Sequence, residues 1–60
     1  MLSEERVKRA IIRLDSSREG RLAREEIEEG VSMREVMHSY DLSFQQIEDL
    51  RVVQRALREC

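Results

Sequence analysis

Residues 15–26 read Asp15-Ser16-Ser17-Arg18-Glu19-Gly20-Arg21-Leu22-Ala23-Arg24-Glu25-Glu26, and the fold depends on where this stretch stops being a break and becomes a helix. Upstream, Val7, Ala10, Ile11 and Leu14 follow the i, i+3, i+4, i+7 spacing of one helix face. The short polar side chains from Asp15 to Ser17 compete with helical backbone bonds, and Gly20 can take positive φ at no steric cost. The pattern therefore predicts a break at 15–21. A second helix is expected through Ala23 to Glu29, ending near Gly30, a suitable left-handed terminator.

Working outward, Ser3 with Glu4 and Glu5 makes a fair start for the first helix, because acidic residues suit the first turn. Ile12 lies off the apolar stripe and is free to meet a second surface. Downstream, Ser32-Met33-Arg34-Glu35 is a capping box opening a short third helix with Val36, Met37 and Tyr40. Asp41-Leu42-Ser43 breaks it. Ser43 then caps a fourth helix bearing Phe44, Ile47, Leu50, Val53 and Leu57. No stretch alternates as a strand would. The expected architecture is all-α, one small domain over residues 1–60 made of two helix–turn–helix units, 1–30 and 31–60.

Composition narrows the function. With 60 residues, 40% of them charged and no Pro or Trp, the chain has little material for a substrate pocket. No nucleophile–base constellation accompanies Ser39, Tyr40 or Cys60, so enzymatic activity is not expected. Eleven basic against 13 acidic residues leave a net charge of −2, which offers no general attraction to nucleic acid or anionic lipid. A single cysteine forms no internal disulfide. The opening residues do not read as a signal peptide, and no apolar run spans a bilayer, so a cytoplasmic setting is expected. His38 has no partner at metal-ligand spacing and reads as a surface side chain. A chain this short has little surplus stability, so a metal, a partner helix or self-association is expected to help.

Two resemblances sharpen these expectations. Over residues 5–33 the chain resembles the EF-hand family, in which a 12-residue loop delivers calcium ligands from positions 1, 3, 5, 7, 9 and 12. Asp15, Ser17 and Glu19 fall at positions 1, 3 and 5, and Gly20 at the turn position, 6. Arg21 would give its backbone carbonyl at position 7, Leu22 would face the core at position 8, and Glu26 would supply the bidentate carboxylate. The resemblance implies a metal site of Asp15, Ser17, Glu19, Arg21 and Glu26. Ser at position 3, Glu at position 5 and Ala23 at position 9 depart from the family pattern. Arg18, Arg21 and Arg24 add positive charge, so any calcium affinity would be weak, about 10⁻⁴–10⁻³ M or beyond.

Residues 32–50 are similar to the helix-turn-helix of bacterial regulators. That resemblance places Val36, Met37 and Tyr40 under the turn and Leu42 in it, with Ile47 and Leu50 holding down the second helix. It departs at Met37, where a small residue is usual, and at Asp41, where Gly usually turns the chain. The groove-facing residues would be Phe44, Gln45, Gln46, Glu48 and Asp49. Glu48 and Asp49 would repel phosphates, and Arg51, Arg55 and Arg58 could reach only the DNA backbone.

Three functions follow for testing. The first is a non-enzymatic protein-interaction module with a weak or degenerate calcium loop, meeting a protein partner or a second copy through apolar helix faces. The others are a helix-turn-helix DNA-binding regulator and a structural subunit that self-associates.

Overall fold

The computed structural model describes residues 3–59; Cys60, the single cysteine, lies outside them. Four helices follow in order: α1 (Glu4–Asp15), α2 (Arg18–Glu29), α3 (Met33–Ser39) and α4 (Phe44–Glu59), with no strand among the described residues. The protein is a small all-α domain.

Serine side chains set the helix starts. Ser3 Oγ accepts from the amide of Arg6, Ser17 Oγ from that of Gly20, and Ser32 Oγ from that of Glu35, each three residues on. At α4 the cap is reciprocal. Ser43 Oγ accepts from the Gln46 amide at 3.2 Å while Gln46 Oε1 accepts from the Ser43 amide at 2.8 Å, a Ser-x-x-Gln box. Gly30 ends α2 at φ 101°, the left-handed conformation expected of it.

The stretch at 15–26 divides differently from the expectation. Only Ser16 and Ser17 separate α1 from α2, and residues 18–26 are helical, so the 12-residue loop does not form. The physical reason is the Ser17 cap, which starts α2 three residues before Gly20. Gly20 therefore sits inside the helix, and Gly30 is the only described residue with positive φ. Gly20 serves close approach instead: it is buried, and a Cβ there would strike the Leu14 carbonyl and Ser17 Oγ.

The two-residue break sends α2 back along α1. Arg13, late in α1, meets Asp49, early in α4, so α4 runs antiparallel to α1 and alongside α2. Ala10 and Leu14 from α1, Ala23 and Ile27 from α2, Val36 from α3, and Leu50 and Val53 from α4 form the buried core. Ile11, Val31, Met33, Tyr40, Leu42 and Val52 pack around it half-buried. Two corrections concern the second unit. Met37 does not sit under the turn but is exposed. Tyr40 lies just past α3 in extended backbone. No helix among the described residues is long and apolar enough to cross a membrane.

Candidate functional site

The two ends of the bundle present different chemistry. At one end α1 finishes, and α2 and α4 begin. Here Asp49 is only 2% exposed. Its carboxylate accepts from Arg13 Nη2 at 2.8 Å and Nε at 3.1 Å, and from Gln45 Nε2 at 3.1 Å. The forked, two-point geometry is the one guanidinium and carboxylate favour. The bond to Asp49, together with its charge, raises the Arg13 pKa above its ordinary value. Beside it, Gln46 Nε2 donates to Ser17 Oγ at 2.9 Å, so one glutamine side chain joins the caps of α2 and α4. Among the described residues no buried side-chain polar atom lacks a partner. This end is closed.

The same region holds the residues expected to bind calcium, and the structure does not gather them. Asp15 accepts from Arg24 Nε at 2.9 Å, and Arg24 Nη1 donates to Glu28 Oε2 at 3.0 Å. Burial acts to lower the Arg24 pKa, but the bonds to Asp15 and Glu28 prevail and raise it. Glu26 accepts from the Tyr40 hydroxyl. That bond, followed by burial and the charges of Glu26 and Glu25, raises the Tyr40 pKa. Ser17 is occupied as the α2 cap, while Glu19 and Arg21 are exposed helical residues, the Arg21 amide bonding back to Ser17. Among the described residues no group of three or more His, Cys, Asp or Glu side chains is placed to hold a metal ion.

Of the five residues assigned to a DNA groove, Phe44, Gln45 and Glu48 are exposed, Gln46 is half-buried and Asp49 is buried against Arg13. The signal that could have shown Asp49 facing inward is its place beside Leu50 at the edge of the apolar stripe of α4.

Toward the opposite end, along α4 from Glu48 to Arg58, a cleft of about 520 Å³ lies between α1, the start of α3 and α4. Arg6, Arg51, Arg55 and Arg58 line it, with Met33 and Val52 as its apolar wall. A second cleft adjoins it through Met33, Gln54 and Arg58, and is lined further by Ile27, Val31 and Leu57. Large apolar side chains also stand in solvent elsewhere: Phe44 is 78% and Ile12 69% exposed, and Met37 and Leu57 are exposed to lesser degrees. In comparisons with protein-family models, curated proteins and solved structures, the chain has no match.

Proposed function

We propose that this chain is a small protein-interaction module that binds through apolar side chains its own bundle leaves outside. The observation that carries the reading is the exposure of Phe44 and Ile12 in a chain with one Phe and no Trp. Isolated apolar residues on a surface are ordinary. Here the largest apolar side chain of the protein is turned out at the start of α4 while smaller ones fill the core. Aromatic side chains are enriched where protein surfaces meet.

A photoreactive phenylalanine analogue at position 44 tests this in cells that express the protein. Adducts to another protein, above those formed from exposed Glu25, support the module. Adducts to a second copy favour the self-associating subunit, and their absence contradicts both. The same reading expects no heat when calcium is titrated into the protein, because Asp15 and Glu26 already bond to Arg24 and Tyr40. Heat lost in Glu26→Gln would show that the α1–α2 break opens into a loop.

A further inference from the structure

We propose that the arginine-lined cleft docks an acidic, partly apolar segment of a partner protein; this rests on reading the chain as an interaction module and adds a second surface to the one around Phe44. Arg51, Arg55 and Arg58 stand at i, i+4 and i+7 on α4, so they share one helix face, and Arg6 reaches the same cleft from α1. Glu48 is the only acidic one of the described residues that line it. Four arginines against one glutamate give a local excess of three positive charges in a chain whose net charge is −2.

None of these four arginines takes part in an ion pair among the described residues; Arg18, Arg21 and Arg34 take part in none either, but they do not line this cleft, while Arg9, Arg13 and Arg24 are paired. Like charges at i, i+4 disfavour a helix, so the pairing of Arg51 with Arg55 is not one that helix stability calls for. They are placed to meet charge from outside. The planar guanidinium fork matches carboxylates and phosphates alike. Three features select a protein carboxylate over a nucleic-acid backbone. The net negative charge repels an extended polyanion, while a short acidic segment meets mainly the local field. No aromatic side chain lines the cleft to stack a base. The charged cleft also shares Met33, Gln54 and Arg58 with a neighbouring cleft that Ile27, Val31 and Leu57 help to line, so acidic and apolar side chains of one amphipathic segment would find cationic and partly apolar surfaces side by side. Met33 is an adaptable wall for such a contact.

Fluorescence anisotropy with three labelled probes decides the matter: an amphipathic peptide of Glu and Leu, its Lys-for-Glu counterpart, and a mixed-sequence DNA duplex. The wild type should bind the acidic peptide, less tightly as salt rises, and bind the other two more weakly. Arg51→Glu with Arg55→Glu should weaken the acidic peptide by about tenfold or more, a loss of about 1.4 kcal/mol, and bring in the Lys peptide. Arg9→Glu, on an arginine outside the cleft, should leave binding unchanged. Circular dichroism establishes that the variants fold. Tighter binding to the duplex, or acidic-peptide binding indifferent to Arg51 and Arg55, overturns the proposal. An acidic peptide that fails to bind while position 44 still crosslinks to a partner overturns the cleft alone; failure of both removes the module as well.

Discussion

Arg13 and Arg55 are the same kind of residue at opposite ends of one small bundle, and they do opposite things. Arg13 closes a fork on buried Asp49, which Gln45 also holds, and so ties α1 to α4. Arg55 shares an open cleft with three other arginines and no ion-pair partner among the described residues. A matched arginine orders the fold it belongs to. A cluster of unmatched ones leaves electrostatic attraction available for something else. The contrast separates charges used within the fold from charges we assign to recognition.

The matched end breaks first. Leu50 is fully buried next to Asp49, and Leu50→Ala should remove about 2–5 kcal/mol. At roughly 0.05–0.15 kcal/mol per residue, 60 residues hold about 3–9 kcal/mol in total, so this variant should be largely unfolded or melt far below the wild type. A near-normal urea midpoint would mean the core lies elsewhere.

Gly20→Ala comes next. Helix propensity favours Ala by about 1 kcal/mol, but its Cβ would strike the Leu14 backbone, and crowding of this kind costs about 1–3 kcal/mol. The backbone clash should win, and the melting temperature should fall. A rise would show that α2 starts farther from α1.

Tyr40 gives a smaller effect with a defined pH window. Its folded pKa is raised above the ordinary value of about 10 by the bond to Glu26, so folding favours the protonated phenol. The resulting stability is fully present below pH about 10 and is lost as pH rises through the folded value. Melting temperatures of the wild type should therefore drop more steeply above that pH than those of Tyr40→Phe. Parallel curves would contradict the bond.

At the unmatched end the effect on folding should be least. Arg51→Ala with Arg55→Ala should leave the melting temperature unchanged or slightly higher, since it relieves a like-charge i, i+4 pair. A clear loss would mean these arginines belong to the structure, and the contrast would fail.

Much of the fold was legible because it is local. The stripe Val7, Ala10, Ile11, Leu14 placed α1; Ser3, Ser32 and Ser43 marked three helix starts and Gly30 an end, all from neighbours within a turn or two. Residues 15–26 were harder, because Asp…Gly…Glu spacing fits both a calcium loop and a capped helix. The Ser17 cap selects the helix, and the bonds that occupy the same residues come from far along the sequence: Gln46, 29 positions on, bonds to Ser17, and Tyr40, 14 positions on, bonds to Glu26. Gly20 illustrates the ambiguity. Positive φ and close helix packing both call for glycine, and the sequence alone does not separate them. The Arg13–Asp49 pair spans 36 positions, and no local pattern could join them.

The most direct test of the contrast is hydrogen exchange at the arginine Nε–Hε groups, followed by NMR. Arg13 Nε donates to the buried Asp49 carboxylate, so its exchange should be markedly slower than that of Arg6, Arg51, Arg55 and Arg58, which should exchange as in an unfolded peptide until an acidic peptide is added. Exchange at Arg13 as fast as at those four, or protection at the four without any ligand, would contradict the division of this bundle into a closed end and an open one.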